Sequence, residues 1–71
     1  MREYVVVYEQ GPKSWGAYVP DLPGCVAVGK TREQAEERIK SAIEFHIRGL
    51  LADGDTVPEP THTAGMVTVG A

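Results

Sequence analysis

Two prolines and a glycine in the middle of the chain fix the backbone path between two extended runs. The segment reads Tyr18-Val19-Pro20-Asp21-Leu22-Pro23-Gly24-Cys25. Proline fixes its own φ and pushes the preceding residue toward extended geometry. Pro23-Gly24 suits the central pair of a type II turn, in which glycine supplies the positive φ. We therefore predict a stiff, solvent-facing corner that presents Asp21 and Leu22, although a strand connection without a binding role remains the plainer interpretation.

The composition describes one small domain without covalent or metal cross-links. The chain has 71 residues and a single cysteine, so no internal disulfide can form. A chain this short buries only about 60% of its unfolded surface, and oligomerisation is a common remaining source of stability. The net charge is −3, and the seven basic residues form no dense stripe. This pattern argues against nucleic-acid binding and favours a basic protein partner.

The start of the chain and its hydropathy give no sign of export. Met1-Arg2-Glu3-Tyr4 lacks the basic and apolar regions of a signal peptide. The apolar runs are a few residues long, far below the ~20 needed to cross a bilayer. We therefore expect a cytoplasmic protein that makes no membrane contact.

Hydrophobic periodicity predicts the order β-β-β-α-β, which is an α+β fold. Runs of β-branched and aromatic residues predict strands over residues 3–9, 15–19, 25–29 and 66–69. After the third strand the apolar residues recur at helical spacing. Thr31 and Gln34 have the spacing of a capping box, and Gly54 marks the helix end. We expect an antiparallel sheet with one long helix packed on one face.

A single helix can cover only one face of this sheet. Side chains alternate along a strand, and both faces of the first strand carry apolar residues. An uncovered apolar face on a small protein marks an interaction surface, unless loops or residues 55–65 fold over it. We therefore predict a homodimer or homotetramer formed through the sheet. The candidate interface residues are Tyr4, Val6, Tyr8 and Trp15.

Few side chains in this chain are suited to catalysis. Cys25 could form a dyad with His46 or His62, but a lone cysteine at a strand start is more often a small buried residue. A metal-dependent nuclease needs clustered carboxylates, whereas the acidic residues here lie at strand ends, on the corner and along the outer helix face. We expect no enzyme activity, no metal and no cofactor. A small metal-dependent nuclease or hydrolase is the alternative.

Several features occur in order at spacing compatible with a known family. They are the Tyr18–Cys25 corner, Gly29-Lys30-Thr31 with Gln34-Ala35, and Asp53-Gly54 followed by Val57-Pro58-Glu59-Pro60. With them the chain resembles the HicB-like antitoxins of HicA–HicB toxin–antitoxin pairs over nearly its whole length. The resemblance implies one domain spanning residues 1–71, with a partial RNase H-like fold and no nuclease chemistry.

The resemblance also implies a partner. HicB-like antitoxins bind and mask a HicA toxin, a small basic ribonuclease that cleaves mRNA, and are typically dimeric or tetrameric. On this basis the candidate contact residues on the corner and on the acidic helix face are Asp21, Leu22, Glu36, Glu37 and Glu44. An orphan oligomeric module whose toxin partner has been lost is the alternative.

Many HicB-like antitoxins carry a C-terminal DNA-binding module that represses their operon. In this sequence only Gly70 and Ala71 follow the last predicted strand. We therefore expect no appended module, and direct DNA binding by this chain is not expected.

Overall fold

The structure, a computed structural model, describes residues 2–70. It contains three strands, β1 (Val7–Gln10), β2 (Trp15–Tyr18) and β3 (Val26–Gly29), followed by one helix, α1 (Arg32–Ala52). The strands form an antiparallel sheet in the order β1-β2-β3, so β1 and β3 are its edges. The predicted α+β class, with a helix packed on an antiparallel sheet, is confirmed.

The strand register decides which side chains the helix covers. Tyr8 pairs with Ala17 and Ala17 pairs with Ala27, and this row faces α1. The neighbouring row runs from Val7 through Tyr18 to Val26 and therefore points away from the helix. The buried core under the helix consists of Ala17, Val19, Leu22, Cys25, Ala35 and Ile39.

Local signals set both ends of the helix as predicted. The Oγ1 atom of Thr31 accepts a hydrogen bond from the backbone N–H of Gln34 at 3.1 Å. The Gln34 side chain accepts in return from the backbone N–H of Lys30 at 2.7 Å, one residue before the position expected in a capping box. Asp53 is the C-cap, and Gly54 follows it with φ 74°, the left-handed geometry that ends many helices.

The proline corner is as rigid as predicted but is not solvent-facing. Leu22 donates its N–H to the Val19 carbonyl at 3.1 Å, and Cys25 donates to the Leu22 carbonyl at 3.0 Å. Gly24 has φ 84°, which agrees with the predicted type II turn. The side chains of Val19, Leu22 and Cys25 are buried because the two successive turns direct them beneath the helix. The prediction of an exposed corner is therefore wrong.

The strand predicted over residues 66–69 is not formed. These residues pair with no strand among those described, and Met66, Val67 and Val69 are 98%, 87% and 76% exposed. Their composition favours a strand, but a strand also needs a neighbouring backbone. No strand of the described part of the chain supplies that backbone. The fourth strand of the expected RNase H-like arrangement is consequently absent from the described residues.

Candidate functional site

The sheet face opposite α1 is open to solvent, as we predicted from the presence of a single helix. Tyr18, Val26 and Val28 are 38%, 63% and 58% exposed. Val7 lies in the same row as Tyr18 and is half-buried. Exposed aromatic and branched side chains grouped on one face are typical of surfaces that bind another protein.

The predicted interface residues lie on the opposite, helix-covered face. Tyr4, Val6, Tyr8 and Trp15 are partly buried and pack against the core. The Tyr4 hydroxyl donates to the Pro58 carbonyl at 2.6 Å. Alternation correctly separated the two faces of the first strand, but both faces are apolar, so the pattern did not show which one the helix covers. An interface role for these four residues stays a prediction.

The three glutamates proposed as partner contacts lie on the exposed side of α1. Glu36, Glu37 and Glu44 are all exposed, and helical geometry places them within about 100° of one another around the axis. Glu36 approaches the Arg32 guanidinium at 3.7 Å, an exposed pair that contributes little stability. These carboxylates are accessible to a cationic partner, and their contact role stays a prediction.

Asp21 holds the segment that follows the helix. Its Oδ2 atom accepts from the backbone N–H groups of Thr61 and His62, each at 3.1 Å. Its Oδ1 atom accepts from the Thr61 hydroxyl at 2.7 Å and lies 2.7 Å from Nδ1 of His62. We call this group of three residues the Asp21 clamp. It joins the corner to a segment 40 residues later in the chain.

The clamp favours the ionised form of Asp21. Burial by itself raises the pKa of the carboxyl group, but the hydrogen bonds from His62 and Thr61 outweigh it and hold the pKa well below its ordinary value. The His62 ring is about half exposed. A carboxylate that orients an imidazole also occurs in catalytic triads, yet within residues 2–70 no serine, threonine or cysteine is hydrogen-bonded to the ring's other nitrogen. The clamp is therefore a structural connection.

The clamp changes the interpretation of the two corner residues proposed as toxin contacts. The Asp21 side chain is 5% exposed and already occupied, and Leu22 is fully buried. Any contact that they make would require a rearrangement of the corner, so this role stays a prediction. The sequence analysis missed Thr61 and His62. The available signal was an acidic residue directly after a proline, Asp21, together with a hydroxyl and an imidazole side by side in the later loop, Thr61 and His62.

An open groove of about 480 Å³ separates the start of β3 from the C-terminal half of α1. Cys25, Phe45 and His46 line it. Burial raises the pKa of the Cys25 thiol, so the thiol stays protonated and is a poor nucleophile. Among residues 2–70 no three histidine, cysteine or acidic side chains lie close enough together to hold a metal ion. The groove is thus an apolar surface feature rather than an arrangement of reactive groups.

Comparison with known proteins decides the family. A family profile described as a HicB-like antitoxin of bacterial toxin–antitoxin systems matches residues 4–69. The chain belongs to the HicB-like antitoxin family. The match includes the corner, the helix and the exposed segment after the clamp, so the resemblance found in the sequence is confirmed.

Relatives occur in a phage, a bacterium and an archaeon. A UPF0150 protein of Thermoplasma acidophilum is 33% identical over 71 residues and is covered over its full length. A UPF0150 protein of Helicobacter pylori is 45% identical over 47 residues, which are 66% of this chain and 65% of that protein. An uncharacterised 14.9 kDa protein of Haemophilus phage HP1 is 38% identical over 56 residues, 79% of this chain but 42% of the phage protein. The chain thus matches less than two thirds of the length of the last two.

The description of the family names an antitoxin of bacterial toxin–antitoxin systems. Within residues 2–70, the one helix is too polar for its length to serve as a membrane span.

Proposed function

We propose that this chain is an antitoxin that binds a HicA-type mRNA-cleaving ribonuclease and masks its active site. The observation that carries the proposal is the family match over residues 4–69. The small size of the chain, together with the absence in residues 2–70 of a side-chain cluster that could hold a metal ion, suits inhibition by contact rather than by metal-dependent chemistry. In this proposal the chain is not an enzyme.

Charge complementarity supports a basic partner. The chain carries ten acidic residues against seven basic ones, and three glutamates project from the outer side of α1. A ribonuclease that binds the RNA backbone needs a positive surface. Opposite charges steer two proteins together and fix their orientation. In this proposal the acidic side of the helix binds the positive surface of the ribonuclease and so competes with RNA for it.

The direct test uses the product of the open reading frame that neighbours the gene for this chain, which the proposal expects to be a short basic protein. The two proteins are co-expressed, and their association is measured by isothermal titration calorimetry. The ribonuclease is then assayed on mRNA with and without the antitoxin. We expect a tight complex and loss of cleavage at equimolar antitoxin. A neighbour that cleaves mRNA but is neither bound nor inhibited would contradict the proposal.

A pair of charge-matched variants tests the acidic helix face. Glu37→Lys combined with Glu44→Lys reverses two carboxylates on that face. Glu3→Lys combined with Asp55→Lys makes the same change in net charge at exposed sites outside the helix. Rim charges act mainly on the association rate and on its salt dependence. We expect the helix variant to slow association about tenfold at low salt, while the control stays within about twofold. Equal effects would exclude a specific role for the helix.

Two other interpretations give different outcomes in the same experiments. An orphan module would bind no neighbouring protein but would still self-associate. A nuclease or hydrolase would show metal-dependent cleavage by the purified chain alone, abolished by a single substitution. Action in the cytoplasm is part of the proposal, and so is the expectation that this chain does not bind DNA directly, because its seven basic residues form no dense stripe. Operator DNA retained by the purified chain in a gel-shift assay would count against that part.

A further inference from the structure

The segment after the Asp21 clamp has the composition of a strand but forms none within residues 2–70. We call residues 63–70 the tail; all of them are exposed. Met66-Val67-Thr68-Val69 combines β-branched residues with no charge, the composition that pairs most readily with another backbone. The radius of gyration is 13.9 Å, compared with about 11 Å for a compact domain of this length. The tail therefore extends from the body instead of packing on it.

The two edges of the sheet differ in how well they are covered. The guanidinium of Arg38 donates to the Val28 carbonyl of β3 at 2.8 Å, and α1 packs most closely on that strand. At the other edge, β1 pairs with β2 and with no further strand among residues 2–70. Between residues 2 and 70 no hydrogen bond reaches the outer backbone groups of β1. An open edge of this kind accepts an additional strand.

We propose that the tail of one chain adds to the β1 edge of a second copy, and that the exchange is reciprocal. The fold leaves two backbones without partners, the exposed tail and the outer edge of β1, and each can pair with the other in a dimer with twofold symmetry. The Asp21 clamp fixes the point at which the tail leaves the body, so only the tail has to reach across. This proposal does not rest on toxin binding.

The size of the contact indicates the strength of the dimer. Each chain contributes its tail and residues 4–10 to the interface, which is about 15 residues. A standard interface has about 20 or more residues on each side. Eight extended residues span up to about 28 Å, enough to run the length of β1. We therefore expect a dissociation constant in the micromolar range.

Two substitutions at Val67 test the exchange. Val67→Pro removes a backbone N–H and cannot join the interior of a sheet, whereas Val67→Thr keeps both the N–H and the β-branched shape. Val67 is 87% exposed in the single chain, so neither change should disturb the fold, which circular dichroism verifies. Because the proline acts twice in a symmetric dimer, we expect Val67→Pro to weaken dimerisation at least ~30-fold and Val67→Thr to stay within ~3-fold. Analytical ultracentrifugation measures both.

Amide hydrogen exchange supplies a second readout that needs no substitution. We expect residues 66–69 and the outer amides of β1 to become protected together as the protein concentration rises. A chain that stays monomeric at several hundred micromolar overturns the proposal. A dimer that Val67→Pro leaves intact overturns it too, as does a tail protected at all concentrations, because that tail would pair within its own chain. A dimer that binds no toxin would refute only the proposed function.

Discussion

Gly29 lies where β3 packs tightly against the first turn of the helix, so Gly29→Ala is a sharp test of the fold. A Cβ atom at this position would lie 2.5 Å from the Ala35 nitrogen and 3.0 Å from its Cα atom. Both atoms belong to the helix backbone and cannot rotate away. The φ angle of Gly29 is not positive, so alanine meets no backbone strain of its own. The effect of the substitution is therefore steric.

The magnitude follows from the displacement that alanine requires. Ordinary Cβ contacts begin near 3.4 Å, so the first turn of α1 must move by roughly 1 Å, an overpacking that costs about 3 kcal/mol. The loss of glycine's freedom in the unfolded chain offsets about 0.5 to 1 kcal/mol of this. We expect a net loss of about 2 kcal/mol from the roughly 4–10 kcal/mol available to a domain of this size.

Gly16→Ala is the matched control, because a Cβ atom there meets nothing within 4 Å. With an m-value of about 1 kcal/mol/M, urea denaturation should show the Gly29→Ala midpoint about 2 M below the wild type and the Gly16→Ala midpoint at or slightly above it. Trp15 fluorescence and far-ultraviolet circular dichroism report the transition, at two protein concentrations to separate folding from association. Midpoints within about 0.5 M of each other for the two variants would refute the close approach.

Two further predictions concern the helix start and the clamp. Thr31→Ala removes the acceptor for the Gln34 N–H and should cost about 1 kcal/mol of unfolding free energy, measured by the same urea titration, with the exposed Thr56→Ala as control. Asp21→Asn should leave the core folded but speed amide exchange at Thr61 and His62. The pKa of the Asp21 carboxyl group is lower in the folded chain than in the unfolded chain. The clamp therefore stabilises the fold fully at pH values above the unfolded pKa of about 3.9. This stabilisation is lost as the pH falls through the lower pKa of the folded chain. Faster exchange at pH 7 than at pH 3 in the wild type, after correction for intrinsic rates, would contradict that sign.

Most of the fold could be predicted because its signals are local. The strands are joined by short connections, and each carries β-branched or aromatic residues. Thr31 and Gln34 lie three positions apart, and Gly54 needs only its own φ to end the helix. Such features depend on neighbours within a few residues, so composition and spacing are enough to predict them.

The parts that could not be predicted depend on residues far apart in the sequence. Asp21 meets Thr61 and His62 across 40 residues, and no periodicity connects them. The tail has strand composition, but whether it forms a strand is decided by an available edge rather than by propensity. The burial of Leu22 depends on how two turns orient the corner beneath the helix. The prolines and the glycine predicted that the corner is rigid. They did not indicate whether its side chains point into the core or toward solvent.

The two proposed contacts use different sides of the molecule. Glu37 and Glu44 of α1 face away from the sheet, because Ala35 and Ile39 on the opposite side of the helix are the ones buried. The β1 edge lies at the side of the sheet, where the helix makes its fewest contacts. A chain paired through its tail therefore keeps the acidic helix face free. Self-association and toxin binding should then be independent, so that Val67→Pro weakens the dimer without changing the intrinsic affinity of each copy for a basic partner.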